Sequence, residues 1–194
     1  MVRLVSGMAR AMAVLGGLVL AALILLTGIS VAGRVLNTLF HGAFAQSWFP
    51  GLANWALDAG VGPVNGDFEL VEAGMAFAVF AFLPLCQITA GHATVDIFTS
   101  RLSPRASRIL QAVTEVVFAA VLVIIAWKLY DGMASKLRSG QETFLLQTPV
   151  WWNYAASLAG AVVAAITGVF MAGVRILEML SGRVIMVAGA EAGH

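Results

Sequence analysis

The sequence predicts an all-α integral membrane protein with four transmembrane helices, a long third helix and both termini in the cytoplasm. Three observations carry this prediction. Of 194 residues, 60% are hydrophobic and only 11% charged, where a soluble domain averages about 25% charged. The few charges cluster, and mean hydropathy is +0.92, leaving uncharged windows at 11–33, 73–95, 116–127 and 143–174. A helix needs about 20 apolar residues to cross ~30 Å of hydrocarbon, so three windows suffice alone and the third takes a charged neighbour into its span. Finally, Lys and Arg alternate between sides: Arg3, Arg10, Arg101, Arg105, Arg108, Arg175 and Arg183 fall on one side, seven in all, against Arg34, Lys128, Lys136 and Arg138, four, on the other. The richer side is cytoplasmic by the positive-inside rule.

The first helix is expected over 11–35. Arg3 and Arg10 precede its apolar run as in a secretory signal, but 23 uncharged residues exceed the about 7 to 15 of a signal core, so a retained anchor is expected. Residues 36–66 hold Pro50, Gly51, Gly60, Gly62, Pro63 and Gly66 among aromatics and read as a periplasmic loop. Within it Phe49, Leu52, Trp55 and Leu57 suggest a short interfacial helix, since Trp favours the headgroup level.

The second helix is expected over 67–99, with Asp67 as N-cap and Glu69 and Glu72 at the positive end of its dipole. Pro84 lies inside it, where a missing N–H and a crowded carbonyl predict a kink. Ser103 and Pro104 restart the chain as cap and first helical residue. The third helix then runs over 104–139, with Gly140 placed to end it. Its ~50 Å exceed the bilayer core, so Lys128, Asp131, Lys136 and Arg138 project into water. Thr148 and Pro149 repeat the cap signal for a fourth helix over 149–180, and Trp151, Trp152 and Tyr154 form an interfacial belt at its entry. The whole is one four-helix membrane domain.

A formal net charge of +1 without a basic cluster gives no reason to invoke nucleic acid. Cys86 is the only cysteine and reads as a packed thiol. No phosphate loop, nucleophile elbow, zinc-protease or dinucleotide fingerprint occurs, so neither an enzyme nor a cofactor is expected. Small residues recur at Ala156, Gly160, Ala164, Gly168 and Ala172, a stripe suited to close helix approach, inside the unit or against a partner.

Three ionisable residues stand within or beside the hydrocarbon, where charge carries a penalty of ~2.5 kcal/mol or more: His92, Asp96 and Glu115. His92 and Asp96 share a helix face, and Glu115 lies at a depth that allows a contact with His92. A proton relay would need polar continuation across the membrane, and haem a second axial ligand, whereas His41 is in the loop and His194 is the last residue. The simpler reading is a buried polar contact fixing the bend between the second and third helices, with Arg101, Arg105 and Arg108 meeting Asp96 and lipid phosphates.

The segment LPLCQITAGHATVDIFTSRLSPRASRIL, with its His92, Asp96 and basic restart, resembles the small membrane subunit (DctQ-like, Q subunit) of tripartite ATP-independent periplasmic (TRAP) transporters. Glu72 at the second helix, the long third helix and Ser139, Gly140, Thr143, Pro149 and Trp151 extend the likeness, over 11–177, while the first loop is longer than the family's usual connection. The resemblance implies a non-catalytic inner-membrane scaffold for the large M subunit, with a periplasmic P protein delivering an organic acid taken up on a sodium gradient. It leaves the substrate open. The alternatives are a membrane anchor or assembly subunit of an unrelated complex, and a stand-alone small channel or transporter, which would need inward polar residues along more than one helix.

Overall fold

The computed structural model describes residues 2–89 and 103–181. Among these the regular structure is helical: α1 Val2–His41, α2 Ala43–Trp48, α3 Pro50–Asp58, α4 Asp67–Ile88, α5 Pro104–Ser139 and α6 Trp151–Ser181. Four of them, α1, α4, α5 and α6, are long and apolar enough to cross a membrane.

Local chemistry explains where each begins and ends. α1 is longer at both ends than its uncharged window, because no breaker stands between Val2 and Ala11 or between Leu36 and Gly42. Gly42 turns extended and opens α2, and Pro50 occupies the first turn of α3. Ala53 and Ala56 of α3 are buried, α3 meets both α1 and α2, and Asn37 Nδ2 of α1 donates to the carbonyl of Val61, just past α3, at 2.9 Å. Phe44, Trp48, Phe49, Leu52 and Trp55 remain exposed.

Gly66, at φ +75°, caps α4 in place of Asp67. That left-handed conformation suits a residue without Cβ, and a Cβ there would also strike the Leu146 side chain. Asp67, the first helical residue, is freed for other partners. Ser103 Oγ accepts from the Ala106 N–H at 3.3 Å at the start of α5, and Gly140 at φ +61° ends it. The fourth span starts at Trp151, later than its cap signal suggests, because Thr148 and Pro149 belong to a hairpin: Thr143 N–H donates to the Thr148 carbonyl and Val150 N–H to that of Gln141, both at 2.9 Å. The Thr148 hydroxyl is held by that of Thr143, at 3.1 Å, so it does not cap the helix.

The spans form a row. Among the described residues α1 packs on α4, α4 on α6 and α6 on α5, while α1 barely meets α6 and α4 has no broad contact with α5. Accordingly half of the membrane-scale stretch of α6 is buried, against 11% for α1, 22% for α4 and 17% for α5. A core of Leu122, Ala164 and Ala165, with Leu83 and Ala126 packed against it, joins α4, α5 and α6.

Candidate functional site

The row has two ends: a loop end, with α2, α3 and the 140–150 hairpin, and a termini end, with Val2, Thr89, Ser103 and Ser181. Its polar side chains form ties at both. Between them the small-residue stripe is largely buried: Gly160, Ala164, Gly168 and Ala172 lie inside, and Ala156 is exposed. A Cβ on Gly160 would stand 2.9 Å from Phe80 Cβ and 3.2 Å from the Ala81 nitrogen, and one on Gly168 would stand 3.0 Å from Leu122. The stripe therefore serves contacts within the chain, with α4 on one side and α5 on the other. Pro84 is fully buried on the facing side of α4, in line with Ala81 and Gln87.

At the termini end Gln87 Nε2 donates to Glu115 Oε2 at 2.9 Å, both residues buried, joining α4 to α5 where these helices otherwise hardly touch. On α6, Arg175 Nη1 donates to Glu178 Oε2 at 2.7 Å, the two side chains 10% and 6% exposed. An ion pair so deeply desolvated survives only when its geometry is good and its remaining donors and lone pairs are satisfied. Among the described residues no buried side-chain nitrogen or oxygen lacks a partner. His92, Asp96 and Arg101 lie outside the described residues. Of the charged residues predicted at this end, Glu115 is buried, Arg108 half-buried and Arg105 exposed.

At the loop end the Ser30 hydroxyl donates to Asp67 Oδ2, Arg34 Nη2 stands 3.6 Å from the same oxygen, and the Val64 N–H donates to Ser30 Oγ at 3.2 Å. Asp67 thereby ties α1 to the start of α4. Glu69, two residues further on, accepts from the Leu145 N–H at 2.7 Å and the Leu146 N–H at 3.0 Å, clamping the hairpin over α4. Tyr154 packs on Gly132, and Trp151 meets Trp152 edge to face at 6.1 Å between ring centres. Trp152 stays 54% exposed.

Gln87, Arg175, Glu178, Ser30, Arg34, Asp67 and Glu69 make ties that sequence reasoning did not assign. A signal for the α6 pair was present: Arg175 continues the stripe at the spacing 164, 168, 172, 175, and Glu178 follows at i+3. Gln87 likewise extends the buried series Ala78, Ala81, Pro84. The Asp67 and Glu69 ties join segments far apart in sequence and carry no local signature.

A groove of about 540 Å³ between α1, α4 and α6 is lined by residues including Val19, Leu23, Leu26, Phe77 and Asn153, none of them charged. These features define a multi-pass helical membrane protein in which buried Ser30, Gln87 and Glu115 tie different helices together, while the buried Arg175–Glu178 pair lies within α6. The DctQ component of tripartite ATP-independent periplasmic transporters matches residues 60–180. The chain belongs to that family, as a small permease subunit of a TRAP transporter. The matched region takes in α4 to α6, a shorter reach than the 11–177 over which the motifs were read, and leaves α1 to α3 outside. No curated protein and no solved structure matches the chain.

Proposed function

We propose that this subunit is a non-catalytic brace: it holds the large membrane subunit, which carries substrate and sodium, and meets a periplasmic binding protein that delivers an organic acid. The observation that supports this reading is the placement of polar groups. A carboxylate crossing ~30 Å of hydrocarbon needs a succession of cationic or hydrogen-bonding side chains. Here the charged ties gather toward the ends of the row and the groove between three helices is uncharged. A row of helices also presents broad apolar faces suited to lipid and to another membrane subunit. The reading places the chain in the inner membrane with both termini cytoplasmic, on the seven-to-four distribution of Lys and Arg.

Reconstitution in liposomes with an inward sodium gradient tests it. The chain alone is expected to move no organic acid, and uptake to appear only with the large subunit and the binding protein. Sodium-dependent uptake by the chain alone would overturn the brace.

A further inference from the structure

Close contacts fix which residues of the row are level with each other. A Cβ on Gly16 of α1 would meet Ala81 of α4, and one on Gly160 of α6 would meet Phe80 and Ala81. On the other side of α6, Gly168 faces Ala119 and Leu122 of α5, and a Cβ on Gly132 of α5 would meet the Tyr154 ring. These two contacts bring Gly160 level with Trp127 and Lys128. One line across the row therefore joins Gly16, Ala81, Gly160 and Lys128.

The charges that bound each apolar run stand differently to that line. On α1 it falls six residues past Arg10 and eighteen before Arg34, so the middle of the run lies six residues to the loop side. On α6, uncharged from Trp151 to Val174, the middle lies about three residues to the termini side. On α5 it lies ten residues to that side, midway between Arg108 and Lys128. An upright row would hold Lys128, Asp131, Lys136 and Arg138 level with residues 16–26 of α1, in the middle of its uncharged run, although the side chains of Lys128 and Asp131 are 68% and 50% exposed. Charges facing lipid at that depth are strongly disfavoured.

We infer that the row sits inclined in the bilayer, its lipid-contacting belt running obliquely from the loop side at α1 to the termini side at α5. The offset of sixteen residues between the middles of α1 and α5 is ~24 Å, and across three helix spacings of ~9 Å it corresponds to roughly 40°. The length of α1 gives a second measure. Arg10 and Arg34 are 24 residues apart, and ~36 Å of helix fits ~30 Å of hydrocarbon at roughly 35°. Membrane helices reach tilts of about 40°. The run of α5 between Arg108 and Lys128 is shorter, and both side chains have stems long enough to carry their charges outward to the headgroups. The inclined belt leaves Arg10, Arg34, Asp67, Arg175 and Lys128 together at its edges. It also brings α2 and α3, which follow Arg34, to the headgroup layer, where their exposed Trp48 and Trp55 are favoured. At the opposite corner α5 continues from Lys128 to Ser139 clear of the hydrocarbon, so the loop face of the molecule stands high at α5 and low at α3.

Spin labels on single cysteines test this, in a Cys86→Ser background of the full chain in vesicles of phosphatidylcholine and phosphatidylglycerol. Collision with oxygen, which partitions into lipid, and with a water-soluble nickel chelate reports the depth of each label. Leu25 of α1 and Leu137 of α5 are both exposed and level across the row, and so are Leu4 and Val116. Labels at Leu25→Cys and Val116→Cys are expected inside the hydrocarbon and those at Leu137→Cys and Leu4→Cys in water, with ~15–20 Å of depth between the members of each pair. Equal depth within either pair, or a difference of the opposite sense, would overturn the inclination. If a labelled variant does not fold, polarised infrared dichroism of the wild type in oriented bilayers decides: a mean helix tilt of roughly 30–40° supports the inclined seat, and one at or below the ~20° average of membrane helices overturns it.

Discussion

Gly160→Ala tests whether α6 is held by direct backbone approach. The new Cβ would stand 2.9 Å from Phe80 Cβ, 3.1 Å from the Phe80 carbonyl carbon and 3.2 Å from the Ala81 nitrogen, where carbon contacts relax at about 3.5 to 4.0 Å. Two of these three atoms are backbone, so no rotamer change relieves the clash and α4 must move by roughly half an ångström or more. Overpacking of this kind costs about 1 to 3 kcal/mol, offset by up to about 1 kcal/mol of helix propensity on replacing glycine. The expected net loss is about 1 to 2 kcal/mol. Two neighbours calibrate it. A Cβ on Gly173 meets nothing within 4 Å, so Gly173→Ala should be neutral or stabilising. At Gly168 the nearest atom, 3.0 Å away, is the end of the flexible Leu122 side chain, so Gly168→Ala should fall between, while the larger Gly168→Leu should lose about 1 to 3 kcal/mol. Unfolding in mixed micelles by dodecyl sulfate titration, followed by far-ultraviolet circular dichroism, ranks the set. If Gly160→Ala resists unfolding as well as Gly173→Ala, the close approach does not govern this packing.

Arg175→Ala leaves the Glu178 carboxylate buried without its 2.7 Å partner and should cost about 3 to 5 kcal/mol, with Arg175→Met/Glu178→Leu recovering part of it; the same titration measures both. Gln87→Leu removes the donor to buried Glu115 and should lower stability by about 1 to 3 kcal/mol, and a variant that unfolds like wild type would deny that tie a structural role. Glu69→Ala withdraws the acceptor of the Leu145 and Leu146 amides, so hydrogen exchange at those two amides should quicken while the amides of α6 stay protected. Ser47→Cys in a Cys86→Ser background should react with impermeant maleimide from the periplasmic side; reaction from the cytoplasmic side alone would invert the proposed topology.

The spans were legible in the sequence because lipid imposes a single requirement, continuous apolar helix, that hydropathy reports directly. Caps were legible where the signal is strictly local, as at Ser103 with Pro104 and at Gly140. They were misread where a distant segment competes. Thr148 and Pro149 look like a helix start, yet within the hairpin from Gln141 to Val150 the amide, carbonyl and hydroxyl of Thr148 are all engaged by Thr143. Asp67 looks like a cap, yet Ser30 and Arg34 of α1 engage its carboxylate and Gly66 takes the left-handed turn. Arg175 was read as a charge belonging to the topology count, because periodicity places a residue on a face without saying that the face is covered. Glu178 three residues later made burial possible by supplying the countercharge.

The order of the row has a mechanical consequence. Helices in a bilayer gain little from apolar contact with each other, since lipid is equally apolar, and single interhelical hydrogen bonds average only ~0.6 kcal/mol. A row held by such bonds alone would splay. In this chain the central helix α6 brings small residues against α4 and α5 on opposite sides, at Gly160 and Gly168, so both neighbours lie close along its length. The polar ties then act where close packing is weakest: Gln87 to Glu115 spans the pair α4 and α5 that share no broad surface, and Asp67 fastens α1, the least buried span. Packing supplies the adhesion and the ties fix which helix ends stay together, so loosening any one tie should tilt a single helix at one end of the row and leave the central α4, α6 and α5 contact intact.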